Sequence, residues 1–382
     1  MKSILLIGGT GVLSSAVTKE ALRQGDAVSM INRGSRKIPD GVELLQCDKD
    51  DLEKISGLLQ GRTFDAVIDF LCYHQAEVER SYSFYSKYAK QYVFISSCAV
   101  YNFDECAEAT EESPKSNLKW SYSVEKWNCE RVLMSLAVEN SCAWTVVRPN
   151  VTYGDTRIPY GISPRYGYHW TLAARILAGK PIMTWCQGNT YGNKLHVDDF
   201  AVGLVGLIGI EKAYKQAFNI CSDQVYRDRE VLDAVSKVVG VPWHGVDVPP
   251  EFYAALAPGR AGEMVGGRSV SAKCSNQKLK SVVPSFSETI TLDRGVLKTL
   301  EAYKAKNYQY GIDWFYEGEI DRVIRTWLKK NGLPKDKSLR FIDYLGDATL
   351  KDRLSYTLIS YPDSLVSRLV RFMMKIRSLM RK

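Results

Sequence analysis

Through the first 150 residues, short apolar runs alternate with longer amphipathic stretches. SILLI (3–7), AVSMIN (27–32), VELLQCD (42–48), DAVIDFL (65–71), QYVFISS (91–97) and AWTVVRP (143–149) read as strands. Between them VLSSAVTKEALRQG, DDLEKISGLLQ, HQAEVERSYSFYSKYA and SYSVEKWNCERVLMSLAVEN have helical spacing. Several strands are apolar on both faces, which a parallel sheet covered on both sides requires. From about residue 155 the rhythm breaks. GDTRIPYGISPRYGYHW is rich in glycine, proline and aromatics and reads as loop; WTLAARILA and REVLDAVSKVVG read as helices, PIMTW as a short strand, and FAVGLVGLIGI as a buried helix. The expected architecture is α/β. A doubly wound parallel sheet spans 1–155 with returns near 195–222. A smaller interleaved lobe spans 156–194 and 223–335, and a helical basic extension spans 336–382.

The first apolar run leads into GGTGVLSS, a glycine-rich turn opening a helix. Such a turn presents backbone N–H groups and a helix dipole to a pyrophosphate. Gly8 permits the tight turn and Gly11 the close approach, while the third position, normally glycine for helix–strand packing, is Ser14. A serine there is expected to strain the packing without removing the cradle. SILLI is only five residues long, short of the apolar core of about 7–15 that an export signal needs. The second strand ends at Asn32-Arg33, without the acidic residue that holds a ribose in many NAD binders. Arg33, with Arg36 and Lys37, is suited to a 2′-phosphate, so the cofactor is expected to be NADP or NAD, leaning toward NADP. Asp48 ends the third strand and is a candidate for the adenine amino group; helix capping is its alternative.

Composition narrows the class further. Nine scattered cysteines without a CxxC argue for free thiols in a reducing compartment, and the four histidines lack metal-ligand spacing. A net charge of +8 comes with no RNA-binding motif or aromatic–basic stripe, so nucleic acid is not an expected partner.

Tyr122 and Lys126 stand four apart in YSVEK and share one helix face. An ammonium beside a phenol stabilises the phenolate, which suits proton exchange with an alcohol or ketone. Ser97, at the end of QYVFISS, is placed to orient the substrate hydroxyl. GGTGVL, VFISSCAVY, YSVEK, RPNVTYG and KLHVDDFA together resemble the extended short-chain dehydrogenase/reductase superfamily over about residues 1–330. Within it they are similar to the NAD-dependent epimerase/dehydratase family. MINRG, FDAVIDF and AFNICSDQVYRDREVLDAVSKVVG are similar to its less typical members. The resemblance implies a Rossmann-type fold and a triad of Ser97, Tyr122 and Lys126. It also implies a cofactor held by Gly8, Thr10, Gly11, Val12, Leu13, Asn32, Arg33, Asp48, Phe70, Ser96, Tyr122 and Lys126.

Dehydratases of the family resemble S-T-D-E-V-Y, with an acid pair where this chain has Cys98 and Ala99, so dehydration is disfavoured. In related reductases a cysteine is catalytic, but Cys98 is out of that register and reads as structural. Redox chemistry at a secondary alcohol remains, as an epimerase if the ketone turns over in the site and as a reductase if the cofactor exchanges. The substrate is expected to be a sugar, nucleotide-linked. Sugar-nucleotide epimerases carry an arginine before HVxD, where this chain has Gly192 with Lys194 nearby; their second arginine matches Arg260 in RAGE. The asparagine that the pattern expects at 151 is a valine. His196, in HVDD, reads as structural. The alternative is a non-catalytic NAD(P)-binding regulator or RNA-binding protein of the same fold.

The tail SLVSRLVRFMMKIRSLMRK has Leu365, Leu369, Met373, Ile376 and Met380 on one helical face, with Arg368, Arg371, Lys375, Arg377, Arg381 and Lys382 supplying charge. A basic amphipathic helix suits an anionic membrane surface, and it suits equally docking on its own core or on a second subunit, as in a homodimer. The expected location is cytoplasmic, with the inner membrane surface as a peripheral site.

Overall fold

The computed structural model describes residues 1–137 and 140–379. In chain order the elements are β1 (Ser3–Ile7), α1 (Val12–Arg23), β2 (Ala27–Asn32), β3 (Val42–Gln46), α2 (Leu52–Leu59), β4 (Phe64–Asp69), α3 (Gln75–Tyr85), β5 (Ala89–Ile95), α4 (Ser121–Leu136), β6 (Ala143–Pro149) and β7 (Val151–Tyr153). They continue with α5 (Trp170–Leu177), β8 (Ile182–Thr184), β9 (Tyr191–His196), α6 (Val197–Gly206), β10 (Gln216–Ile220), β11 (Val225–Arg227), α7 (Asp228–Val239), β12 (Gly245–Asp247), α8 (Pro250–Leu256) and α9 (Ala261–Glu263). The last are α10 (Gln277–Val282), α11 (Leu292–Ala305), α12 (Trp314–Lys330), α13 (Leu350–Ser360) and α14 (Leu365–Leu379).

The chain divides into two compact units. The first comprises residues 1–154, 191–226 and 270–295; the second comprises 155–190, 227–269 and 296–382. The first unit holds a seven-stranded sheet in the order β10-β6-β5-β4-β1-β2-β3, and every pairing in it is parallel. Strand order reverses direction at β1, so the loops after β1 and β4 diverge and leave a crevice at their carboxyl ends. The central strands are largely apolar because both faces are covered. On one face Ile4, Leu6, Met30, Ile68 and Val93 pack with Val17 of α1 and Phe200 and Leu204 of α6. On the other, Leu5, Ile7, Val67, Tyr92 and Phe94 pack with α2, α3 and α4 through Ile55, Tyr82 and Leu133.

The second unit contains α5, α7 and the two-stranded β12-β8 sheet. The residues expected to form an appended extension belong to it. Arg175 and Lys180 pair with Glu317 and Asp321 in full burial. Tyr344 donates to Glu317 and Tyr356 to Asp321. Thus residues 344–356 seal a buried charge cluster between α5 and α12, and the segment is part of the unit it was expected to follow.

Candidate active site

The turn after β1 is built for close backbone approach. Gly8 has φ +83°, and a Cβ there would press on Leu71 at 3.0 Å. A Cβ on Gly9 would run into Met30. Gly11 caps α1. Ser14 does not strain the helix as expected. Its buried hydroxyl folds back and accepts the Gly11 N–H at 2.9 Å, so the side chain that replaces the third glycine satisfies one of the helix's orphan donors. Val12 and Leu13 follow as the first helical residues, half-buried against the core.

The rim of this turn is formed by the ends of β2, β3 and β4. Asn32 accepts the Gly34 N–H and reaches toward Thr10 Oγ1 at 3.4 Å. Arg33 is exposed. Arg36, also exposed, donates to the Thr10 carbonyl at 2.8 Å, which brings a guanidinium onto the turn itself. Asp48 is exposed and accepts the Asp50 N–H. The cap of α2 is instead Asp51, which accepts the Lys54 N–H, so the capping alternative for Asp48 falls. Phe70 is half-buried against the core. Asp69, passed over in the sequence, is buried and accepts from Leu71 N–H, Cys72 Sγ, Ser81 Oγ and Tyr92 OH, which ties down the loop after β4.

Of the expected triad, Lys126 and Tyr122 lie near one another on α4, and Lys126 reaches the loop after β4. Ser97 ends the β5 loop, half-buried, and its Oγ accepts the Ala99 N–H at 3.1 Å. Tyr122 is half-buried in the first turn of α4, its ring 4.8 Å from that of Trp120. Lys126 is buried. Its Nζ donates to the carbonyls of Cys72 at 2.7 Å and Ile95 at 2.9 Å. The ammonium lies 4.6 Å from the ring centre of Tyr73, 5.0 Å from that of Phe94 and 6.0 Å from that of Tyr122. Burial pushes the lysine below its ordinary pKa, and the two carbonyls and the ring faces are what keep a cation there. Tyr73 and the Cys72 carbonyl were not legible as site groups, although their position just after an apolar strand marks the loop.

Behind these groups stands a buried polar network. Ser96, expected to sit near the cofactor, is buried, and its hydroxyl donates to Glu130 Oε1 at 2.5 Å. Glu130 also takes a two-pronged contact from Arg148, at 2.9 and 2.5 Å. Arg148 continues to Tyr101 OH at 2.6 Å, and Tyr101 to Asn219 at 2.7 Å. The Cys98 thiol donates to the Arg148 carbonyl at 3.2 Å, in keeping with a structural cysteine. Glu130 stands four residues after Lys126, on the same helix face, and that spacing was the available clue.

The residues expected to bind substrate have other partners. Lys194 is buried within β9. Arg260, in the second unit, contacts Glu263 at 3.2 Å, the Ser163 carbonyl at 3.1 Å and Glu319 at 3.7 Å. Its charge is matched by carboxylates, so a diphosphate there would compete with Glu263. His196 caps α6 by accepting the Asp198 N–H at Nδ1, and Asp199 holds residues 289–290, so the HVDD segment is structural.

A family model described as the NAD dependent epimerase/dehydratase family matches residues 4–221. The chain is 27% identical over 259 residues to the chloroplast stem-loop binding protein of 41 kDa b from Arabidopsis thaliana, covering 63% of this chain and 64% of that relative, less than two thirds of its length. It is 23% identical over 294 residues to a UDP-glucose 4-epimerase from Lactobacillus helveticus, covering 68% of this chain and 86% of that protein. Among solved structures, an epimerase from Methanothermobacter thermautotrophicus superposes with a TM-score of 0.67 at 16% identity, covering 81% of this chain and 94% of the other.

Proposed function

Because the chain belongs to the NAD-dependent epimerase/dehydratase family, we propose that it interconverts a secondary alcohol and a ketone on a nucleotide-linked sugar, as an epimerase or a reductase. The observation that carries this reading is Lys126: a buried ammonium held by two carbonyls within 6.0 Å of the Tyr122 ring centre. The glycine turn fits a dinucleotide, since at Gly11, the cap of α1, a Cβ would have only Ser14 Oγ within 4 Å and the helix start presents N–H groups to an anion. Gly8, Thr10, Gly11, Val12 and Leu13 would hold the pyrophosphate, and Arg33 and Arg36 a 2′-phosphate, which favours NADP. When bound, the nicotinamide supplies the hydride acceptor and donor.

The chain's own groups handle the proton. Tyr122 takes it from the substrate hydroxyl during oxidation and returns it during reduction. Lys126 favours the phenolate by its positive charge. Ser97 keeps its O–H free to donate to the substrate oxygen while its Oγ accepts from Ala99. Tyr122→Phe removes the proton carrier and keeps the ring, so turnover on a nucleotide hexose should fall by at least about 100-fold with cofactor affinity unchanged. Turnover near wild type would refute the assignment. Mass spectrometry of the co-purifying nucleotide separates the two reactions: tightly held NAD supports an epimerase, an empty site with NADPH preference a reductase.

The similarity to a stem-loop binding protein favours a second reading, in which the chain binds RNA. A gel shift with a stem-loop RNA tests it. A salt-sensitive shift from a protein without turnover on any nucleotide hexose would favour that reading over catalysis.

A further inference from the structure

We propose that α14 is an in-plane membrane anchor that seats the protein on an anionic lipid surface. Among its described residues the helix touches its own unit by one side. Ser367 is fully buried and donates to the Tyr361 carbonyl at 2.8 Å, and Val370, three residues on, is half-buried. The opposite side carries Leu365, Leu369, Phe372 and Met373, which at helical spacing form one continuous strip. That strip faces outward: Leu369 is 52% exposed, Phe372 62% and Met373 58%. Docking on its own core, one of the alternatives open from the sequence, therefore does not account for the apolar face.

Charge identifies what does. Between Ser364 and Lys382 the sequence has six basic residues and no acidic one. In the sequence Arg371, Lys375 and Arg377 continue the basic series that Arg368 begins. An apolar strip in a segment rich in cations and free of carboxylates matches the boundary between acyl chains and anionic headgroups. Arg368 is exposed. Among the described residues no helix is long and apolar enough to cross a membrane, so the helix lies on the surface. Met380, Arg381 and Lys382, which continue the pattern in the sequence, lie outside the described residues.

The test uses the full chain and vesicles of phosphatidylcholine with and without phosphatidylglycerol, read by co-sedimentation. The full chain should bind the anionic vesicles and not the neutral ones. Arg368→Ala with Lys375→Ala should weaken binding by about 25-fold. Phe372→Glu should abolish it, and thermal unfolding of each variant should match wild type, since Arg368 and Phe372 are exposed. Equal binding to neutral vesicles, undiminished binding by a chain ending at Ser364, or no vesicle binding together with a dimer that Phe372→Glu dissociates would each overturn the proposal, the last in favour of a contact between copies.

Discussion

Ser14 and Arg36 both reach back to the glycine turn, one to an N–H and the other to a carbonyl. The serine replaces a packing glycine with a capping hydroxyl. The arginine brings a charge to a turn that otherwise offers only backbone dipoles. A charge-assisted contact to a 2′-phosphate contributes about 1.5–3 kcal/mol. Arg36→Ala should therefore weaken NADPH binding by roughly tenfold or more and leave NADH binding unchanged, by isothermal titration. Equal losses for both cofactors would show that Arg36 serves only to brace Thr10. Neither contact was legible in the sequence. GGTGVLSS announces a cradle through its glycines, but which group a serine hydroxyl accepts from is decided by its rotamer, and Arg36 lies 26 residues from its partner.

At the scale of elements, α4 gathers most of the proposed chemistry. Tyr122, Lys126 and Glu130 recur every four residues along one side, so one rigid helix presents the phenol, the ammonium and the anchor together. Glu130 fixes that helix to the end of β5 through Ser96 and to β6 through Arg148. Replacing it leaves a buried guanidinium without its counter-charge. Glu130→Gln should lower stability by about 3–5 kcal/mol, measured by urea unfolding, and should reduce kcat because the spacing between Ser97 and Lys126 loosens. A loss below about 1 kcal/mol, the value of an exposed pair, would contradict the role of anchor.

The strands and helices of this first unit were readable because each apolar run obeys a local period. SILLI became β1 and DAVIDFL gave β4 with a two-residue loop. What escaped was partly long-range, the Arg148–Glu130 pair and the Cys72 carbonyl under Lys126, and partly local, the cap of α2 at Asp51, where two adjacent aspartates follow Asp48 and the sequence does not say which one turns toward the helix.

At the scale of the whole molecule, the second unit carries charges in its interior. Burial pushes His169 down to about 3, with its Nδ1 accepting the Ile158 N–H. Unfolded, the imidazole titrates near 6.5. The folded value is the lower one, so stability is complete above 6.5 and is lost as pH falls toward 3, by roughly 2 kcal/mol at pH 5. Glu317 acts in the same sense lower down. Burial alone would raise its carboxyl, but Arg175 and Lys180 hold it at about 2, so its share disappears between 4.5 and 2. Urea midpoints at pH 7 and pH 5 check this: the midpoint should drop for wild type, and a flat profile would show that His169 is not held neutral.

The buried cluster also sets a timetable. Arg175 meets Glu317 across 142 residues of chain. At translation rates of about 5–20 residues per second, α5 leaves the ribosome on the order of ten seconds before the carboxylates that neutralise it. Over that interval its arginine has the nearby Pro181 carbonyl but no carboxylate to pair with. Because the chain passes back and forth between two units, the first is complete in sequence only at residue 295, and the last strand of its sheet is made after only the first of the second unit's three segments.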